Sequence, residues 1–119
     1  MGKRAISFNA QASLESAALS KNIVGYLRSE AIFWQGDRCD GVMYIQSGAI
    51  KISVLSRRGK EAVVAMLGPG DFFGEGALTG QSKRISTATA TTSTKVLVID
   101  KAVMTRLLRE QPTFSERFL

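Results

Sequence analysis

Two side chains in the stretch 68–90, GPGDFFGEGALTGQSKRISTATA, have the chemistry to hold a small anionic ligand: Glu75 and Arg84. Arg84 carries a planar fork of N–H donors that matches the oxygens of a phosphate. Glu75, when ionised, is a fixed acceptor for a sugar hydroxyl. Gly74, Gly76, Ala77 and Leu78 surround the acid and predict a short helical turn with free backbone N–H groups, where glycines let a ligand approach closely. Ser86 and Thr87 add hydroxyl or backbone donors beside the arginine. Together these groups suit a sugar phosphate. An acid and an arginine nine residues apart also make an ordinary surface salt bridge. The two could equally pair with each other across a pocket, and spacing alone leaves these readings open.

Composition removes several other chemistries. The 119 residues contain no histidine and one cysteine, Cys39. Histidine-based triads, histidine metal ligands and a haem-ligating histidine are excluded, and a lone thiol holds no iron–sulfur cluster. No disulfide can form within the chain, which fits a reducing, cytoplasmic setting. A cupin-type or metal-dependent enzyme would need ligands that this chain does not have, so no catalytic residue, metal or cofactor is expected. The basic N-terminus is followed by no apolar run, and no window is long and apolar enough to span a membrane. Apolar residues at 45% and charged residues at 22% are ordinary for one globular domain. The net charge of +6 is spread over scattered pairs such as Lys3/Arg4, Arg57/Arg58 and Lys83/Arg84. No aromatic residues interleave with them as in an RNA-binding face, so they read as a solvated surface.

The elements that must position the site read mostly as β-strand. A short helix is expected over about 10–19, capped by Asn9. Extended pieces follow at Asn22–Arg28 and Glu30–Trp34, ended by the Gln35-Gly36-Asp37 turn. Val42–Gln46 and Ala49–Ser56 are strands, with Ile50, Ile52 and Val54 on one face and Lys51, Ser53 and Leu55 on the other. Glu61–Leu67 continues the sheet after a loop at Arg57–Lys60, and Gly68-Pro69-Gly70-Asp71 is a tight turn. Arg84–Ala90 and Lys95–Ile99 complete the β region. Lys101–Glu110 is a helix whose stripe of Val103, Met104, Leu107 and Leu108 packs on the strands. A further helix starts at Thr113, where Thr113 and Glu116 have capping-box spacing. About eight short strands separated by Gly/Pro turns predict a mainly β fold, a jelly-roll-like antiparallel barrel with short flanking helices. Trp34 is expected to pack on that barrel, and Cys39 to be an inert loop or half-buried thiol.

Three separated segments, in order, resemble the cyclic nucleotide-binding domain family. AIFWQGDRCDGVMYIQSGAIKISV is similar to the family's early strands, with the QGD turn. GPGDFFGE resembles the approach to its phosphate-binding cassette, and GEGALTGQSKRISTATA the cassette itself. The likeness runs from about Ile23 to Leu119. Within the family the chain looks most like the sensory domain of bacterial Crp/Fnr-type transcription regulators. The resemblance implies a double-stranded β-helix or β-roll. It implies that Glu75 accepts the ribose 2′-OH, that Arg84 neutralises the cyclic phosphate, and that Ile85 and Ser86 meet that phosphate. The expected ligand-binding residues are therefore Phe73, Gly74, Glu75, Gly76, Ala77, Arg84, Ile85 and Ser86. It further implies a domain over 1–119 whose helix at 113–119 begins a dimerisation helix. DNA would be reached only through a helix-turn-helix that this sequence does not contain.

Three positions depart from the family pattern. Gly76 stands where a bulky aliphatic residue is usual, loosening the cassette helix by roughly 1 kcal/mol relative to Ala. Lys83 replaces a proline. Ile85 replaces a small residue; it could crowd the phosphate, and it removes the hydroxyl that guanine-preferring members carry. Cyclic AMP is thus the favoured ligand and cyclic GMP the lesser one. The competing expectation is a β-roll that serves interaction or dimerisation and has lost nucleotide binding, with Ile85 blocking the seat.

Overall fold

The computed structural model of this chain describes residues 22–110. The helices expected at 10–19 and 113–119 lie outside the described residues. Eight strands form: β1 (Ile23–Tyr26), β2 (Ala31–Phe33), β3 (Gly41–Ser47), β4 (Ile50–Leu55), β5 (Glu61–Leu67), β6 (Phe72–Phe73), β7 (Thr87–Ala90) and β8 (Thr94–Asp100). A 3-10 helix at Glu75–Thr79 separates β6 from β7, and α1 (Lys101–Glu110) follows β8. The strands make two four-stranded antiparallel sheets in the orders β1-β8-β3-β6 and β2-β7-β4-β5. That alternation between sheets is a jelly-roll strand order. The mainly β, jelly-roll-like expectation is met, with the two sheets remaining open rather than closing into a continuous barrel.

Strand β3 shows why the sequence folds this way. Its residues Val42 to Ile45 are all buried, because both of its faces are covered. Val42 and Tyr44 point to one side and pack with Leu97, Ile99, Met104 and Leu107 beneath α1. Met43 and Ile45 point to the other and join Phe33, Ile50, Phe73, Ala88 and Val96 between the sheets. The period of two along the strand feeds both clusters. The expected α1 stripe is the buried face, with Met104 and Leu107 fully packed. Asp100 caps the helix by accepting from the Val103 N–H at 2.9 Å. Truncating Met104 to alanine would cost about 2–5 kcal/mol.

The alternation expected in β4 holds: Ile50 and Ile52 join the cluster between the sheets, while Lys51, Ser53 and Leu55 share the opposite face. Ser53 is buried rather than solvent-facing. β4 lies between β5 and β7, so Ser53 pairs with Val63 on one side and Thr87 on the other, and the register with β5 shifts beside it, where β5 carries one extra residue. β6 is absent from the sequence-based reading. Its two residues pair with Met43 and Tyr44, and two residues are too few for any periodic signal.

Candidate functional site

The turn Trp34–Asp37 and the segment before β7 hold Arg84 by its main chain. The Arg84 N–H donates to the Asp37 carbonyl at 2.7 Å, and its own carbonyl accepts from the Gly36 N–H at 2.8 Å. Cys39 N–H donates to Ser82 O at 2.9 Å, extending the ladder. The turn is itself braced: the Trp34 N–H donates to Asp37 Oδ2 at 2.9 Å, and the Leu55 N–H donates to Gln35 Oε1 at 2.8 Å. The QGD segment is thus the splint for the arginine.

The Arg84 side chain runs inward and is 5% exposed. Its Nη1 donates to the Gly74 carbonyl and its Nη2 to the Gly41 carbonyl, both at 2.8 Å. The guanidinium carbon stacks 4.2 Å above the centre of the Phe33 ring. Its Nε is buried with no hydrogen-bond partner. Among the described residues no carboxylate forms an ion pair with it; Lys51 and Glu61 pair elsewhere at 3.5 Å. Of the readings that spacing left open, the direct bridge between Glu75 and Arg84 is not made. Two backbone carbonyls take the fork instead, and among the described residues the Arg84 charge has no counter-charge.

A cavity of about 480 Å³ opens beside this group. Phe73, Gly74, Glu75, Gly76, Arg84, Ile85 and Ser86 all line it. The eighth candidate, Ala77, is buried in the 3-10 helix and does not line the cavity. Thr87 does not contribute either: its hydroxyl accepts from the Gln35 N–H at 2.9 Å, a structural bond. Ile85 is 66% exposed, so it does not fill the arginine's seat from within. Apolar residues of both sheets, among them Phe33, Ile52, Leu67 and Phe72, complete the wall. A mostly apolar wall with a few convergent polar groups is the usual make-up of a small-molecule site.

The left-handed Gly74 (φ 77°) starts the 3-10 helix that presents Glu75. A Cβ at Gly74 would lie 2.7 Å from Arg84 Nη1, so only glycine lets the arginine reach this carbonyl. A Cβ at Gly76 would collide with Oε1 of Gln81. The departure at Gly76 thus has a partner, and Gln81 occupies the room that a side chain there would take. Phe33, Cys39, Gly41, Met43 and Gln81 are site residues that sequence reasoning missed. Nothing in the spacing links 33, 41 or 43 to 84; the topology brings them together. Cys39 is buried against the cavity as the inert reading anticipated. Trp34 is 62% exposed and lies outside both core clusters; it borders a shallow pocket with Ser53, Leu55 and Thr87 of β4 and β7.

Comparison with known proteins decides the lineage. Residues 23–111 match the family of the cyclic nucleotide-binding domain. The chain belongs to this family. This cyclic nucleotide-binding domain is 30% identical over 105 residues to a CRP-like cAMP-activated global transcriptional regulator of Mycobacterium tuberculosis; the match covers 87% of the chain and 47% of that protein. It is 31% identical over 87 residues to the cyclic AMP receptor protein of Thermus thermophilus, covering 73% of the chain and 40% of that protein. Among solved structures, the domain superposes on the Thermus thermophilus catabolite activator protein with a TM-score of 0.75 and 28% identity, over 88% of the chain and 50% of that chain. The N-terminal domain of a Streptomyces coelicolor transcriptional regulator gives 0.69 and 27%, over 97% and 84%. The domain spans about half the length, or less, of the curated relatives it matches. Among the described residues no helix is long and apolar enough to cross a membrane, and no group of side chains is arranged to hold a metal ion.

Proposed function

We propose that this domain binds a cyclic nucleotide, cyclic AMP in preference to cyclic GMP, as the sensory module of a Crp/Fnr-like transcription regulator. One observation carries the reading: a buried guanidinium with no counter-charge among the described residues, and with an unpartnered Nε, forms part of a cavity wall. Burying a charge is costly unless it is paired, and the carbonyls of Gly41 and Gly74 solvate the cation without neutralising it. An anion in the cavity supplies the missing charge. A cyclic phosphate is such an anion, and its ribose 2′-OH suits Glu75 at the start of the 3-10 helix. Ser86 and the backbone at Ile85 lie beside the phosphate.

The adenine preference rests on Ile85, which offers no hydroxyl to a guanine. The relatives named for cyclic AMP point the same way. A ligand-free interaction domain is the weaker reading, since the feature that would favour it, an isoleucine plugging the phosphate seat, is not what the exposed Ile85 does. In a longer regulator, ligand closure over the cassette would move the helix expected from Thr113, through which two copies would pair, and DNA would be reached through a helix-turn-helix domain. A calorimetric titration of the domain with cyclic AMP and cyclic GMP tests the proposal. It expects saturable heat with both and tighter binding of cyclic AMP; no heat with either contradicts it.

A further inference from the structure

The cavity holds a second polar group near Glu75. The Gly76 carbonyl accepts from the Thr79 hydroxyl at 3.0 Å, from the Gly80 N–H that closes the 3-10 helix, and from the Gln81 N–H at 3.1 Å. This triple anchor fixes where the Gln81 side chain starts. From there it folds back over Gly76: Cδ lies 3.0 Å and Cβ 3.5 Å from the point where a Gly76 side chain would begin, with Oε1 closer still. Gln81, Glu75 and Gly76 all line the cavity. Gln81 brings an amide side chain to the wall that also carries the Glu75 carboxylate, folded over the intervening Gly76.

We infer that Gln81 is a specificity-determining residue that shares the sugar hydroxyl with Glu75. The inference rests on the cyclic-nucleotide reading above. An ionised carboxylate only accepts, so it satisfies the proton of a ribose 2′-OH and leaves the hydroxyl oxygen unmet. A carboxamide adds N–H donors. With Oε1 against Gly76, the NH2 arm of Gln81 donates to that oxygen while the hydroxyl donates to Glu75. Gly76 makes this possible, because any side chain there evicts the carboxamide. The glycine and the glutamine act as one unit, in which a polar group replaces an aliphatic one beside the sugar.

The test compares cyclic AMP with 2′-deoxy cyclic AMP on wild type, Gln81→Met and Gly76→Ala, by calorimetry. Gln81→Met keeps the length and removes the hydrogen bond. It should weaken cyclic AMP roughly tenfold, the effect of one good hydrogen bond, and change 2′-deoxy cyclic AMP by less than about twofold. Gly76→Ala, which expels the carboxamide by crowding, should show the same selective loss. Thermal melts of both variants confirm that the fold persists. Equal losses for the two nucleotides, or no loss, overturn the role of Gln81 while leaving cyclic nucleotide binding intact. Failure of the wild type to bind cyclic AMP overturns the underlying reading and the inference with it.

Discussion

The guanidinium of Arg84 rests 4.2 Å above the ring of Phe33, inside a cavity wall where no carboxylate among the described residues answers its charge. The ring and two backbone carbonyls hold the cation in one orientation before any ligand arrives. Preorganisation of this kind lowers the ordering cost of binding.

Phe33→Leu removes the aromatic face and keeps an apolar side chain. The cation–π contact is worth about 0.5–2 kcal/mol, so cyclic AMP affinity should fall several-fold. The melting temperature should drop only modestly, since Leu refills most of the volume between the sheets. Calorimetry and a thermal melt on the same sample separate the two effects.

Gly74→Ala strikes the same arginine from the other side. The position is left-handed, and the added methyl meets Nη1 of Arg84. Strain of this kind costs of order 1–3 kcal/mol. Urea denaturation should show that loss, and the displaced guanidinium should weaken cyclic AMP at least tenfold in a binding titration.

Ile85→Ser tests the base preference. The residue is 66% exposed, so stability should change by less than about 0.5 kcal/mol. The new hydroxyl should raise cyclic GMP affinity relative to cyclic AMP several-fold, read from competition between the two nucleotides. An unchanged ratio would remove Ile85 from the selectivity argument.

Tyr26 gives the fold a pH dependence. Burial raises its hydroxyl above the ordinary value of 10.0, and the Glu30 carboxylate adds to the rise. The fold therefore favours the neutral phenol. Its contribution is fully present below pH 10 and is lost as pH rises through the higher folded value. Chemical denaturation midpoints should fall above pH 10, and Tyr26→Phe should make that fall shallower.

Much of this architecture is legible in the residues. The helix Lys101–Glu110 appears in the sequence because Val103, Met104, Leu107 and Leu108 repeat on one face, and the structure buries that face. The central strands are legible from their β-branched runs, and Glu75 and Arg84 from their chemistry and from the cassette pattern. What is hidden has common causes. The donors of Arg84 go to the carbonyls of Gly41 and Gly74, and backbone acceptors have no sequence signature. Ser53 is buried although it shares the face of Lys51 and Leu55, and alternation assigns a face without saying what covers it. Trp34 stays mostly exposed at the edge of a shallow pocket over β4 and β7, and nothing in its type distinguishes that from a core position. Gln81 matters because of what is missing at Gly76, and a missing side chain looks like a defect until its neighbour is seen in the space.

The central claim is that Arg84 is held buried to meet the phosphate of a cyclic nucleotide, and Arg84→Gln tests it most directly. Glutamine keeps a polar, hydrogen-bonding side chain and removes the charge. Calorimetric titration of wild type and variant with cyclic AMP, alongside thermal melts showing that both are folded, should give saturable binding by the wild type and a loss of about a hundredfold in the variant, as for a charge-assisted hydrogen bond. Equal affinities for the two proteins, or no binding by either, would contradict it.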